Sequence, residues 1–331
     1  MSRRTNSNSR ITLANVISVF GIVLLTALLF LGFLYSGDTL GISILKSVGL
    51  GFAFAILLWL MITAKSKTNL EDKGKWMTTE IVVLIIYLAL AVVSSGWMTK
   101  FVNIYAAKDE IKSAALNDID SINNVIDTFR SNESTNLRRY SDDLKRALRE
   151  FDRMDNSVSD LICQQLEVAD LDEVSSSDID KNINLLDSLF IENVSSDNGW
   201  EEQLSECQKE IKSWSILEIP KRINNISSIA SDISEKLTEM SEHLSHYSIK
   251  DDPSDHVFKA EKLSADKYEV EVTAGQKLNG LKASPWGYGA CALIHLLILF
   301  NYFVTRRSIV IRNRKTNNTA INGGRMLNID N

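Results

Sequence analysis

His243 and His246 stand three residues apart near the end of an apolar stripe, with Glu239 and Glu242 beside them and Asp251, Asp252, Asp255 and His256 beyond. These are ligand types for a divalent cation, and an i, i+3 pair shares one helix face. The pattern also arises without any metal, because the helix dipole favours histidine near a C-terminus and acidic loops are ordinarily solvated. No metal and no cofactor is expected, and His243, His246 and His256 remain candidates by residue type alone.

Three cysteines occur, Cys163 and Cys207 in the polar middle of the chain and Cys291 in an apolar run. In an oxidising exterior a Cys163–Cys207 disulfide would close a loop of roughly 45 residues, worth about 4 kcal/mol in the chain-entropy view. Two buried free thiols are the equal alternative, since Cys207 falls on an apolar stripe. No Walker-type glycine loop, Gly-x-Ser-x-Gly, Cys-x-x-Cys or His-Glu-x-x-His occurs, so no enzyme is expected. Asn132, Asn193 and Asn225 each begin an Asn-x-Ser sequon, a number that chance supplies in a segment so rich in Asn and Ser.

The elements that would hold these residues divide sharply. A bilayer core needs roughly 20 predominantly apolar helical residues, and four segments supply them: 11–35, 42–64, 80–99 and 286–305. Ile81 to Thr99 and Trp286 to Thr305 carry no charge, and the second span carries only Lys46 near its start. The first run is too long for a cleaved signal peptide and lacks a clear small-residue cleavage site. Lys and Arg fix the orientation. Arg3, Arg4 and Arg10 (segment 1–10), Lys65, Lys67, Lys73 and Lys75 (65–79) and six cations in 306–331 (Arg306, Arg307, Arg312, Arg314, Lys315, Arg325) must share the cytoplasmic side. Residues 100–285 are then outside. Residues 101–285 carry a net charge of −16, from 21 basic and 37 acidic residues, against +10 for the remainder, from 15 and 5. So acidic a domain repels phosphates, which excludes nucleic-acid binding.

Within the spans the only ionisable mid-membrane residue is His295, expected to be neutral and hydrogen-bonded to a neighbouring helix, with Asn301 and Asn15 as polar companions. Ser47, Gly51 and Ala55, four apart, form a seam of small residues along which another helix, of this bundle or of a partner, can approach the second span.

Beyond Phe101 the apolar period becomes that of amphipathic helix. Ile111 to Phe129 forms one stripe, free of Pro and Gly, so the third span is expected to run into it as one long helix. Leu137 to Met154, Ile179 to Phe190 (with Ser177 as N-cap), Trp200 to Trp214, and Ile223 to Tyr247 after Pro220 form the others. Narrow heptad-like stripes predict a helical bundle or coiled-coil packing. Tyr268, Val270 and Val272 alternate with charged residues, and a β-hairpin pairing them with Val257 to Leu263 is predicted, followed by a linker from Gly275 to Pro285.

The fold class expected is therefore an all-α membrane protein with four spans, a large helical extracytoplasmic domain between the third and fourth, and a small membrane-proximal hairpin. This layout resembles that of tetraspanins in topology, but the Cys-Cys-Gly motif of their outer loop has no counterpart here, so membership is not implied. The function expected is a non-enzymatic scaffold or anchoring subunit of an envelope complex, such as a secretion or surface machine in a bacterial inner membrane. Its partners would be the lipid bilayer, other envelope proteins and, in a homo-oligomer, further copies of itself. The alternative is a sensor that detects an extracytoplasmic ligand and signals through a separate partner.

Overall fold

A computed structural model describes residues 12–67, 73–171, 174–252, 254–281 and 284–305. The arginines of segments 1–10 and 306–331 lie outside the described residues, as do Ile11 and the middle of the basic 65–79 loop. Among the described residues 81% are helical and there is one two-stranded antiparallel sheet, and the chain divides into two units.

Among the described residues the apolar unit contains four helices long and apolar enough to cross a membrane: α1 (Leu13–Leu34), α2 (Leu40–Lys67), α3 (Lys73–Ala106, its first 27 residues in this unit) and α11 (Pro285–Val304). Small residues on α1 and α2 set the close approaches. A Cβ on Gly21 would lie 2.9 Å from Ile298 of α11, one on Gly32 would lie 2.2 Å from the Trp97 carbonyl of α3, and one on Gly51 of α2 would lie 2.3 Å from Thr26 Oγ1. Small residues at these points let helix backbones meet where a larger side chain would separate them. Ser284 caps α11 by accepting from the Gly287 amide at 3.3 Å, and Pro285 occupies the first turn, where its missing N–H costs nothing.

The polar unit holds residues 100–283 and also the Leu34–Gly37 turn between α1 and α2. Tyr35 of that turn is buried, donates its hydroxyl to the Ile216 carbonyl at 2.9 Å and packs its ring against Phe101. α3 ends at Ala106 and α4 (Lys108–Arg149) begins two residues later, with Ala107 at φ −94°, ψ 14° between them. The expected single helix from the third span through Phe129 is therefore two, divided by one residue outside helical dihedrals. Conversely, the two stripes from Ile111 to Met154 belong largely to one 42-residue helix, roughly 60 Å long.

Along α4 the buried side chains Ile111, Ala115, Ile119, Ile122, Ile126, Phe129, Leu137, Tyr140 and Leu144 recur at helical spacing. Against them pack α6 (Ser176–Asp187), α8 (Trp200–Ser213) and α9 (Ile219–Leu244). α6 is capped by Ser175 rather than by Ser177: Ser175 Oγ accepts from the Asp178 amide while the Asp178 carboxylate accepts from the Ser175 amide, a reciprocal box. The Ser175 hydroxyl, which donates to the Asp178 carboxylate at 2.6 Å, then the Ser175 amide and Lys181 hold that carboxyl below its usual range. A short helix not expected from the sequence, α5 (Asn156–Leu166), precedes α6, and a π-helical turn, Ser188–Glu192, and α7 (Val194–Asp197) follow it.

The hairpin exists, but with different partners from those predicted. β1 (Ile249–Asp252) pairs antiparallel with β2 (Val257–Ala260), in register Asp251 to Phe258. Phe258 is fully buried and lies under two guanidinium groups, those of Arg146 and Arg153, at 5.1 and 5.2 Å from its ring centre. The predicted second strand, around Tyr268 to Val272, is extended but pairs with no strand. Its backbone amides are taken by a column of hydroxyls on α9 instead: Asp266 N–H donates to Ser241 Oγ (3.1 Å), Tyr268 N–H to Thr238 Oγ1 (3.3 Å) and Val270 N–H to Ser234 Oγ (3.1 Å). Period-two alternation correctly signals extended backbone with Tyr268 inward and Lys267, Glu269 and Glu271 outward. What it cannot signal is that a helix, rather than a strand, supplies the acceptors. The segment then enters α10 (Ala274–Gly280), within the expected linker.

Candidate functional site

The seam residues Ser47, Gly51 and Ala55 lie on the α2 face turned to α1. Gly51 meets Thr26 directly, and Ser47 is buried. Along this contact the two helices line an apolar groove of about 630 Å³, to which all three seam residues contribute together with Val23, Phe30 and Phe52. The seam is thus used inside the bundle, by a hydroxyl-bearing residue rather than by another glycine.

His295 is hydrogen-bonded to a neighbouring helix, its Nδ1 lying 3.0 Å from Tyr87 Oη. Phe54 packs against both rings, at 5.2 and 5.3 Å. The second ring nitrogen, Nε2, is buried with no hydrogen-bond partner among the described residues. The companions Asn15 and Asn301 bond to one another at 2.6 Å, and Ser18 bridges the Leu297 carbonyl and the Asn301 amide, groups one turn apart on α11. A further polar contact was not read from the sequence. Glu80 is buried and accepts from Tyr302 Oη at 2.6 Å, while Lys65 donates to the Tyr302 carbonyl and lies 4.4 Å from its ring centre. Glu80 stands at the edge of the apolar run, where hydropathy alone counts it as flank.

In the polar unit, the structure separates the histidines. His243 and His246 face a groove of about 720 Å³ on the flank of α9, with Phe190 and Met240 as apolar lining and Glu239 and Glu242 beside them. His243 stacks on Phe190 at 5.0 Å. His256 instead occupies the hairpin turn with φ 54°, and its carbonyl accepts from Arg153 Nε at 2.9 Å. Among the described residues no group of three or more His, Cys, Asp and Glu is gathered to hold a metal ion. Cys163 on α5 and Cys207 on α8 are both free thiols. Burial pushes the Cys207 thiol up, against the opposing pull of Arg222, which makes it a poor nucleophile.

Two buried carboxylates escaped the sequence reading. Asp118 accepts from the Thr273 amide (3.0 Å), the Thr273 hydroxyl (3.1 Å) and the Ala274 amide (2.8 Å), and so caps α10 from α4. Glu133 accepts from Tyr268 Oη (3.0 Å) and from Asn136 Nδ2 (3.4 Å). Each sits on the apolar stripe of α4, a position where an acid is costly unless satisfied; that misplacement was the available signal. Their partners, in residues 268–274, show that both acids hold the returning segment in place. No family model matches the sequence, and no curated protein or solved structure shows significant similarity to it.

Proposed function

We propose that the chain is a non-enzymatic scaffold or anchoring subunit of a multiprotein envelope complex, set in a bacterial inner membrane and docking its partners through the helical polar unit. The observation that carries the reading is the pairing of four apolar helices with a helical unit whose inward polar groups are spent on its own architecture: the buried Asp118, Glu133 and Ser241 and the half-buried Ser234 and Thr238 all bind backbone or side chains of the returning segment. Both termini are assigned to the cytoplasm and residues 100–285 to the outside, from the distribution of Lys and Arg. The placement of Tyr35 in the polar unit supports the parity of that assignment, since the α1–α2 turn and residues 100–283 then lie on one side.

Extraction in mild detergent tests this reading: a stoichiometric set of envelope proteins is expected to remain with the chain, and a chain that purifies alone from every mild detergent would refute it. A sensor is the second reading, favoured by the open groove beside His243 and His246; retention of a single kinase-like or cyclase-like companion would select it.

A further inference from the structure

The groove on α9 has a chemistry that the fold does not consume. Its α9 wall runs from Lys236 to His243, about 10 Å of helix or two turns, and His246 stands in the turn just beyond the helix. The opposite side is provided by Phe190 of the π-helical turn and Asn198 beyond α7. It lies between α9, which packs on α4 and α8, and the π-helical turn, which packs on α4, on a face of α9 other than the one that holds the returning segment. Phe190, Met240 and the His243 ring give it an apolar floor.

Charge decides what would complete it. Lys236 is already engaged, donating to Asn198 Oδ1 at 2.8 Å and lying 3.6 Å from Asp232. Glu242 reaches Lys262 only at 3.5 Å and is 67% exposed there, while Glu239 has no ion-pair or hydrogen-bond partner among the described residues. The rim is therefore left acidic, on a segment whose net charge is −16. An added acidic surface would be repelled, and a second copy of this face would set acid against acid.

We propose that this groove docks a basic amphipathic helix of a partner protein, seated antiparallel or parallel to α9 with apolar residues on Phe190 and Met240 and Lys or Arg side chains on Glu239 and Glu242. The inference rests on the scaffold reading and names its contact surface. Helix-in-groove recognition takes its affinity from the apolar anchors and its selectivity and orientation from the rim.

The experiment places a photo-crosslinking amino acid at Glu239 or at His246 of the full chain in native membranes, with Lys209 on α8 as the control position. The cross-linked peptide is sequenced, and the same membranes are tested for copurification with wild type and with Glu239→Lys/Glu242→Lys. Expected are a discrete adduct from the groove positions but not from Lys209, a cross-linked segment with apolar residues at helical spacing and net positive charge, and a drop in yield on the order of tenfold with the charge-reversed pair. An acidic, extended or lipid adduct overturns the proposal, as does the absence of a groove adduct. Should the partner set copurify equally with wild type and the charge-reversed variant, the groove proposal fails while the scaffold reading stands. Should wild type retain no set at all, the scaffold reading itself fails.

Discussion

The Tyr268 hydroxyl donates to a carboxylate oxygen of Glu133 over 3.0 Å, with 5% of the tyrosine and 3% of the glutamate exposed. The ring stands edge-on to Phe129 at 5.1 Å. A long helix and a returning extended segment, 135 residues apart in sequence, are thus joined by an acid whose side-chain donors among the described residues, Tyr268 and Asn136, are both neutral. Removing the phenol as Tyr268→Phe is expected to lower stability by about 1–3 kcal/mol, because the buried carboxylate loses its principal donor. Thermal unfolding of the detergent-solubilised chain measures it, and an unchanged midpoint would refute the assignment.

Alkali should act on the same contact. Burial first, and the Glu133 charge second, push the Tyr268 phenol well above its ordinary value; burial likewise raises Tyr140 and Tyr247. A raised folded-state value means the neutral phenol is favoured in the fold, so its stabilisation is complete below the unfolded tyrosine pKa of about 10 and is lost as pH rises beyond it. The melting temperature is expected to hold through pH 9 and fall above about pH 10, and Tyr268→Phe should fall less steeply than wild type.

The hydroxyl column on α9 predicts an alternating pattern of hydrogen exchange. The amides of Asp266, Tyr268 and Val270 should be protected, and those of Lys267, Glu269 and Glu271, which have no protein acceptor among the described residues, should exchange faster. Replacing Ser234, Thr238 and Ser241 by Ala should remove the alternation at a cost of about 0.5–1.5 kcal/mol per site. Uniform exchange across the six amides in wild type would contradict the structure.

How far the sequence carried can be judged from these same residues. The four spans were legible because each is a long run of one physical property, and the α4 stripe because burial on one face imposes a fixed period. The returning segment was legible only in part: alternation revealed its extended backbone, yet its acceptors come from α9, some 30 residues earlier, and from α4, more than 130 residues earlier. Local pattern holds no information about such distant partners. The same limit hid the Tyr87–His295 contact, whose halves are 208 residues apart. α5 was missed because its inward face needs little more than Val158 and Ile162, too few apolar residues to set a period.

Asp118 should prove more sensitive than any exposed acid. Asp118→Ala would strip the start of α10 of its acceptor and is expected to cost about 2–3 kcal/mol, with Asp118→Asn intermediate. Cleavage at Lys277 under limited proteolysis reports the loosening, and a variant as resistant as wild type would count against the capping role.

In the apolar unit, two glycines of α2 make a paired test. Gly51→Val would drive a Cβ to 2.3 Å from Thr26 Oγ1, whereas a Cβ at Gly49 meets nothing within 4 Å. Gly51→Val should lower the detergent melting temperature sharply and Gly49→Val only slightly, with Thr26→Gly restoring part of the loss. Equal effects at the two positions would sink the α1–α2 contact.

Tyr35 has one more consequence, for biosynthesis. Its acceptor, the Ile216 carbonyl, is made 181 residues later, so the turn that completes the polar unit leaves the ribosome long before the rest of that unit exists. A fragment starting at Lys100 would carry a vacant socket where this ring belongs, and expressing it alone would study a damaged protein. The Leu34–Gly37 turn is, in that sense, a waiting piece onto which the later sequence of the polar unit must fold.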